Sequence, residues 1–501
     1  MNYYFGLDLG TGSLKTVLFD ANGKEIAVAE QEYPHYQPHN GWSEQEPEDW
    51  FKAVKRNISY IMNRVDIDKN DVKAIGLSGQ MMGLILLDKN GDPLRRAILW
   101  NDGRTSKACE HVREIVSDEL FEKYSLTPAR PGLTAAKIQW VKDNEPEIFE
   151  KAEMLLLPKD YVRYRLTGNY ATEVSDASAT QLLDVVNRKW ADEILDLMEI
   201  DKSRLPKVYE SHEITGYVEK NLADELGLSH ETIVVGGASD NAAAAIGVGV
   251  VKPGRTLTTI GTSGTVFSFS EKPILDKNRS VYCFCMTMPN TWHYMGSVNS
   301  AGGSLKWWRN TYYPDDKDYL EINKDLESTK PGSENLIFLP YLNGEQSPHF
   351  NLECRGSFVG LSTLNTKKDM TRAVFEGISY ALNDIKNGIE NTGTPIDIIH
   401  MCGGGSKSEF WRQLLADVYD LPVALPDMNS ENSAALGAAM LGMVGYGQYK
   451  DLVEASDHIL KMKDHVYTPN KENVEIYKKY YEEFRKLYPA LKESYASILH
   501  L

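Results

Sequence analysis

The pattern of hydrophobic and polar positions shows two similar β-type stretches, each interrupted by a short glycine turn. The first reads FGLDLGTGSLKTVLFD (residues 5–20) and the second reads TLTTIGTSGTVFSFS (residues 256–270). Two apolar runs joined by such a turn predict a β-hairpin, not the strand-to-helix loop of a P-loop or dinucleotide site. The two turns lie about half of the 501-residue chain apart, which indicates an internal duplication with two hairpins facing each other across a cleft.

The rest of the first half alternates between strand and helix patterns. We expect strands over 3–8, 15–19, 25–30, 72–78 and 232–237, and helices over 50–64 and, with prolines between them, over 106–165. LILL at 84–87, a DKNGD turn and RRAILW at 95–100 predict a further hairpin.

The second half repeats this plan. After the second hairpin we expect strands within 280–297, helices from 304 and over 369–391, and a strand over 396–402. Helices of small residues follow, AAAAIGVG after Asp240 in the first half and SAALGAAMLG at 433–442 in the second. A charged amphipathic helix is expected beyond Lys461. Mixed halves of this kind predict an α/β fold with a ligand held between two lobes.

Composition narrows the classes of partner. The formal net charge of −17 excludes non-specific binding to nucleic acid or to an anionic membrane, so an anion such as ATP must be bound locally by loops and a metal. Five scattered cysteines are typical of reduced thiols, and no leader pattern or apolar run of membrane length is present. We therefore expect a cytoplasmic protein; a homodimer stays open.

The first hairpin carries two candidate phosphate-site residues. Asp8 ends an apolar strand directly before the glycine turn, where its carboxylate could hold Mg²⁺ through water beside phosphates. The alternative is an aspartate that starts the turn by bonding its own backbone. Lys15 could reach a phosphate oxygen or be an outward-facing strand residue.

Asp240 is the strongest catalytic candidate. It follows an apolar strand and a Gly-Gly-Ala-Ser turn, and it opens a helix of small residues. The alternative is an ordinary helix N-cap, for which aspartate is favoured. Small residues let other backbone approach closely, as the floor of a cleft requires, and a carboxylate there can accept a hydroxyl proton during phosphoryl transfer.

Two further clusters have an ordinary structural interpretation beside a functional one. Gly403, Gly404 and Gly405 follow a strand and precede a helix, which suits either a nucleotide or a tight turn. The run from Trp100 to Arg104 combines an aromatic plate with dense polar groups, which suits either a polyol or a hydrogen-bonded corner.

The chain resembles the FGGY carbohydrate kinases of the actin-like ATPase superfamily, and among them most closely the xylulokinases. Besides both hairpins, the motifs that carry the resemblance are SGQM (78–81), ILWNDGR (98–104), GLTAAKIQWVKDN (132–144), PKDYVRYRLTG (158–168), SDNAAAAIGVG (239–249), GSFVGLSTLNTKKDMTRAVFEG (356–377) and CGGGSKSEFWRQLLADV (402–418). The resemblance implies two ribonuclease-H-like domains, here over residues 1–244 and 245–501, that close on a deep interdomain cleft.

The resemblance also implies an activity and a set of site residues. The activity is ATP-dependent phosphorylation of a sugar or polyol, with Asp240 as general base and Asp8 and Asp240 at the Mg²⁺ position. The implied cofactor-binding residues are Thr11, Gly12, Ser13, Lys15, Gly261, Thr262, Gly404, Gly405 and Ser408. The implied sugar-contacting residues are Gln80, Met81, Met82, Trp100, Asp102 and Asn241.

One departure bears on the substrate. Xylulokinases usually carry a histidine where Met82 stands, and a thioether cannot donate the hydrogen bond that an imidazole gives to a sugar hydroxyl. D-xylulose is the first expected substrate; another ketose, a polyol or a sugar acid such as gluconate is the alternative. An ATPase switch without a sugar, or a binding protein that has lost catalysis, is the alternative of another class.

Overall fold

A computed structural model describes residues 1–314 and 318–501 and places each glycine turn in a large sheet of its own. The strands of the first sheet are Tyr3–Leu9, Ser13–Asp20, Glu25–Glu32, Val72–Gly79, Ile214–Tyr217, Ile233–Val235 and Ala238–Ser239. The strands of the second sheet are Gly254–Ile260, Gly264–Ser270, Tyr282–Cys285, Trp292–Val298, Ile396–Cys402 and Val423–Ala424. Both predicted hairpins are therefore present.

The two sheets share one strand arrangement next to their turns. In the first, Tyr3–Leu9 is antiparallel to the next strand of its hairpin and parallel to Val72–Gly79. In the second, Gly254–Ile260 is likewise antiparallel to its hairpin partner and parallel to Ile396–Cys402. Because parallel strands end at the same edge of a sheet, each turn meets the loop that follows its parallel neighbour, which is where ligands bind in open α/β sheets.

Helices and short strands surround these sheets. The helices are Pro47–Met62, Ser106–Ile115, Asp118–Ser125, Thr134–Asn144, Pro146–Lys151, Pro158–Thr167, Val174–Ala177, Asp192–Leu197, Lys220–Leu226, Asp240–Gly247, Gly302–Tyr312, Tyr319–Leu326, Lys367–Glu390, Glu409–Tyr419, Ser433–Tyr446, Leu452–Ile459 and Lys471–Leu499. Single 3₁₀ turns lie at Lys69–Asp71, Ser178–Thr180, Lys202–Arg204, Ser333–Asn335, Gly404–Lys407 and Ser430–Asn432. Two-stranded pairings join Glu44–Gln45 to Ala97–Ile98, Ile85–Leu87 to Met154–Leu156, Ala171–Glu173 to Lys207–Tyr209, Leu183–Asp184 to Lys189–Trp190, and Ile337–Leu339 to Ser357–Val359. No helix among the described residues is both long and apolar enough to cross a membrane.

The hairpin predicted from LILL and RRAILW forms with an irregular ladder, and the helix predicted over 106–165 is wrong at Met154–Leu156. Leu84 and Ile98 exchange backbone hydrogen bonds of 2.9 and 3.1 Å, and Asp88 N–H donates to the Asp92 carbonyl oxygen across the turn. Ile85–Leu87 also pairs with Met154–Leu156, a strand inside the stretch predicted to be helical. All three residues of Met154–Leu156 are buried. A short apolar run that is buried on every side has no periodicity to distinguish strand from helix.

The two small-residue helices, Asp240–Gly247 and Ser433–Tyr446, pack directly against each other. A methyl group on Gly437 would lie 1.9 Å from the carbonyl oxygen of Ala243, so only glycine allows the two helices to approach this closely. A methyl group on Gly6 would lie 1.8 Å from the carbonyl oxygen of Ala435. The helix Ser433–Tyr446, from the second half of the chain, therefore packs directly on the first sheet.

Candidate active site

Two carboxylates lie at the carboxyl edge of the first sheet, on either side of one shared strand. The register pairs Asp8 with Ser78, and Ser78 with Ala238, two residues before Asp240. Neighbouring strands are about 5 Å apart, so Asp8 and Ala238 are about 10 Å apart across Ser78, and Asp240 follows two residues beyond Ala238. The Ser78 hydroxyl donates to Asp8 at 2.9 Å, and the Asn241 backbone and side-chain N–H groups donate to Asp240 at 2.7 and 2.9 Å.

The environment raises the pKa of both carboxyl groups. Burial raises the pKa of Asp8, while the bond from Ser78 and the charge of Lys15 oppose the rise. Burial and then the charge of Asp8 raise the pKa of Asp240 to about 7. A carboxylate with a pKa near neutrality is basic enough to take a proton from a hydroxyl group.

Both glycine turns present exposed backbone at their tips, residues 12 and 261–263. A methyl group on Gly12 would meet no atom within 4 Å, so its backbone faces open space. Behind the second turn, the N–H groups of Gly302 and Gly303 donate to the carbonyl oxygens of Gly261 and Thr262, each at 2.9 Å. The start of the helix Gly302–Tyr312 thus supports the second turn, a contact that the sequence analysis did not predict.

Two other residues of the first hairpin already have protein partners. The hydroxyl of Ser13 donates to Glu30 at 2.6 Å, and the ammonium group of Lys15 donates to the backbone oxygen of Glu431 at 3.2 Å. Lys15 therefore connects the first hairpin to the second half of the chain. Phosphate contacts by Ser13 and Lys15 stay predictions.

The residues predicted to contact the sugar are called the sugar wall; they are Gln80, Met81, Met82, Trp100, Asp102 and Asn241. Two of them, Gln80 and Trp100, lie against the first turn. The Thr11 hydroxyl donates to Gln80 Oε1 at 3.2 Å, and Trp100 Nε1 donates to the Thr11 hydroxyl oxygen at 2.9 Å. Trp100 is exposed at this edge while Gln80 is buried. Met82 is partly buried in left-handed backbone (φ 65°), and its carbonyl accepts a bond from Thr134 at 3.2 Å.

Asp102 and Asn241 are held by neighbours. The Asp102 carboxylate, which is fully buried, accepts from the Ser43 backbone at 2.6 Å and from the Arg104 guanidinium at 2.7 and 2.8 Å. These bonds occupy both of its oxygens, so Asp102 fixes the corner that carries Trp100. The Asn241 side chain also contacts Met81 Sδ at 3.8 Å, which connects the general-base candidate to the sugar wall.

In the second sheet, the glycine run after Ile396–Cys402 contains one position required for packing and one exposed position. A methyl group on Gly405 would lie 2.7 Å from Ile260 Cβ, so Gly405 is required for packing. A methyl group on Gly404 would meet no atom within 4 Å, and Gly404 is exposed. Ser408 caps the next helix by accepting from the Trp411 backbone N–H at 3.1 Å.

Known proteins similar to this chain identify the family to which this arrangement of two turns, two carboxylates and the sugar wall belongs. The model of the FGGY carbohydrate kinases, N-terminal domain, matches residues 3–247, and the model of their C-terminal domain matches residues 256–446. The chain belongs to the FGGY family of carbohydrate kinases. It is an ATP-dependent sugar phosphotransferase, and the predicted fold of two actin-like ATPase domains is confirmed.

Individual relatives span the whole FGGY kinase chain. A xylulose kinase from Staphylococcus epidermidis is 37% identical over 494 residues, covering 99% of this chain and 98% of the relative. A gluconokinase from Bacillus subtilis is 31% identical, covering 99% and 98%. The crystal structure of a ligand-bound xylulose kinase from Lactobacillus acidophilus superimposes with a TM-score of 0.94 at 30% identity, covering 99% of this chain and 100% of that one.

The acidic groups of this FGGY kinase fit a magnesium ion shared with the nucleotide. Among the described residues no three His, Cys, Asp or Glu side chains gather into a metal site of their own. Mg²⁺ is usually held by one or two carboxylates, several waters and the phosphates of the nucleotide. Asp8 and Asp240 supply that number of carboxylates at the edge where the first turn lies.

Sequence reasoning missed several buried polar residues around this site. Gln45 bonds both Gln80 and the backbone of Thr11, and Ser175 accepts from the Ser239 backbone N–H at 3.0 Å, directly before Asp240. Gln45 and Ser175 both lie outside the motifs named in the sequence analysis. No local signal reveals such contacts, because each joins segments tens of residues apart.

Proposed function

We propose that this FGGY kinase transfers the γ-phosphoryl group of Mg-ATP to D-xylulose, forming D-xylulose 5-phosphate and ADP. The observation that carries the proposal is the position of Asp240. Its raised pKa and partial exposure put a basic carboxylate beside Asp8, on the edge shared by the first turn and the sugar wall. Six further xylulose kinases are 33–37% identical to this chain and cover 88–99% of it, which supports the substrate.

In the proposed reaction Asp240 takes the proton of the 5-hydroxyl while that oxygen forms a bond to the γ-phosphorus. The bond between the γ-phosphorus and the bridging oxygen breaks, its electron pair stays on ADP, and a bound Mg²⁺ would supply charge neutralisation there. Asp8 would hold the ion through water. Backbone N–H groups of the two turns would bind the phosphate oxygens, so positioning and charge neutralisation supply most of the catalysis.

Gluconate is the second candidate substrate. It is favoured by Met82, which offers no hydrogen-bond donor at the sugar wall, and by the full-length similarity to a gluconokinase. The xylulose kinases are more similar to this chain than that gluconokinase, which is why D-xylulose is ranked first.

A coupled assay of ADP release tests the proposal. Purified protein with Mg-ATP is offered D-xylulose, D-ribulose, erythrulose, pentitols, glycerol and gluconate, each over a range of concentrations. We expect the highest kcat/KM with D-xylulose and little ADP release without a sugar. A higher kcat/KM for gluconate would establish the second candidate, and ADP release at one rate with or without any sugar would indicate the ATPase switch.

A further inference from the structure

The buried side-chain amide of Gln45 contacts both the first glycine turn and the sugar wall. Gln45 is 1% exposed and lies in the short strand Glu44–Gln45. Its Nε2 donates to the backbone oxygen of Thr11 at 2.6 Å, and its Oε1 accepts from Gln80 Nε2 at 3.0 Å and from Trp50 Nε1 at 3.1 Å. The side chain therefore makes three of the four hydrogen bonds open to a primary amide, all in one orientation.

The chemistry of these partners leaves no choice about that orientation. An indole N–H only donates and a backbone carbonyl only accepts, so Gln45 Oε1 must face Trp50 and Nε2 must face Thr11. Gln80 must then present its amide N–H to Gln45 and its carbonyl oxygen to the Thr11 hydroxyl. Trp100 Nε1, another pure donor, completes the chain by donating to the same hydroxyl oxygen.

We propose that Gln45 is a positioning residue that couples sugar binding to nucleotide binding. A sugar bound to Gln80 and Trp100 restricts the movement of the two side chains that bond the Thr11 hydroxyl. Gln45 bonds both Gln80 and the Thr11 backbone oxygen, so it transmits that restriction to the backbone of the first turn. When a nucleotide binds afterwards, less conformational entropy is lost in ordering the first turn. The sugar therefore tightens nucleotide binding, which is positive cooperativity between the two ligands. This inference rests on the proposed function, because it needs a sugar at that wall.

Calorimetric titration with a nonhydrolysable ATP analogue and Mg²⁺, with and without saturating D-xylulose, measures the coupling. In the unaltered protein we expect the sugar to tighten nucleotide binding about tenfold. Gln45→Met keeps the length of the side chain but loses all three bonds, and its coupling factor should fall to about one. Gln413→Met is the matched control, since it removes two bonds of a glutamine on the distant helix Glu409–Tyr419.

A second variant guards against a folding defect in Gln45→Met. Gln45→Glu keeps both acceptor bonds, and only its protonated form can donate to the Thr11 carbonyl oxygen. Its kcat/KM relative to that of the unaltered protein, each measured at the same pH, should therefore fall as the pH rises. A residue with a merely structural role would give a ratio that does not depend on pH.

The outcomes separate the inference from the proposed function. If the unaltered protein phosphorylates no sugar in the panel, the proposed function fails. If it phosphorylates D-xylulose but shows no coupling, if Gln45→Met keeps the full coupling, or if the kcat/KM ratio of Gln45→Glu does not change with pH, the inference is overturned and the proposed function stands.

Discussion

Replacing Asp240 by asparagine should abolish most activity and at the same time stabilise the protein. The amide keeps the shape of the side chain and an oxygen that can accept the bonds from Asn241. It cannot take a proton from a sugar hydroxyl, so kcat should fall by about 10²- to 10⁴-fold, the usual contribution of a general base.

The stability change follows from the pKa of Asp240. Its value of about 7 against the ordinary 3.8 means that the folded chain binds this proton more tightly than the unfolded chain. The free energy of unfolding contributed by this group therefore falls as the pH rises from about 4 to about 7. A difference of about 3 units corresponds to at most about 4 kcal/mol above neutral pH. Because Asp240 is partly exposed and solvent screens its charge, we expect a gain of about 1–2 kcal/mol for Asp240→Asn.

Urea unfolding at about pH 6 and about pH 8, together with the ADP-release assay, measures both effects. The stabilisation should be larger at the higher pH. Asp20→Asn is the control, since Asp20 accepts backbone bonds in the turn at the opposite end of the same hairpin, and it should show neither effect. An Asp240→Asn protein that retains more than about a tenth of kcat would refute the general-base role.

In the unaltered protein, kcat/KM should rise as the pH rises through about 7, since only ionised Asp240 accepts the proton; a flat pH–rate profile would contradict this. Gly404→Ala should leave urea unfolding unchanged and weaken Mg-ATP binding about fivefold, or ~1 kcal/mol, in calorimetry. Gly76→Ala is the contrast, because its methyl group would lie 1.8 Å from the Ala438 carbonyl oxygen and should lower the free energy of unfolding. Met82→His should raise kcat/KM for D-xylulose relative to gluconate about fivefold to tenfold in the substrate panel; an unchanged ratio would show that Met82 does not select the sugar.

The hairpins and the buried strands were predictable because each carries its own local signal. A glycine turn between two β-rich runs defines the first hairpin, which spans Tyr3–Asp20. The hairpin at 84–100 has the same kind of local signal and forms, but that signal does not indicate that its first arm also pairs with Met154–Leu156. Strand pairing across that distance depends on packing, which a turn motif does not encode.

The site was predictable to the extent that its residues follow strands. Asp8, Gln80 and Asp240 come at the ends of three parallel neighbours, so recognising each strand end also places these residues at one edge. The pKa of Asp240 was not predictable, since it depends on burial and on the nearby charge of Asp8. Gln45 was missed because two of its three partners, Thr11 and Gln80, lie 34 and 35 residues from it along the chain.

The position of Asp240 depends on charges buried beneath it. The Ser239 backbone N–H donates to the Ser175 hydroxyl, which donates to Glu173 at 2.9 Å. The ammonium group of Lys159 lies 3.1 Å from Glu173 and 3.0 Å from Asp176, and all three side chains are fully buried. Removing Lys159 would take away the ammonium group that pairs with both of these carboxylates.

Lys159→Met should therefore destabilise the protein by about 3–5 kcal/mol, because it breaks a buried ion cluster from one side. Activity should be lost along with the fold, and urea unfolding should show a lower midpoint. Asp240→Asn loses activity in a folded and more stable protein, so the two variants change stability in opposite directions. If Lys159→Met were as stable as the unaltered protein, the buried cluster could not be what holds the turn before Asp240 in place.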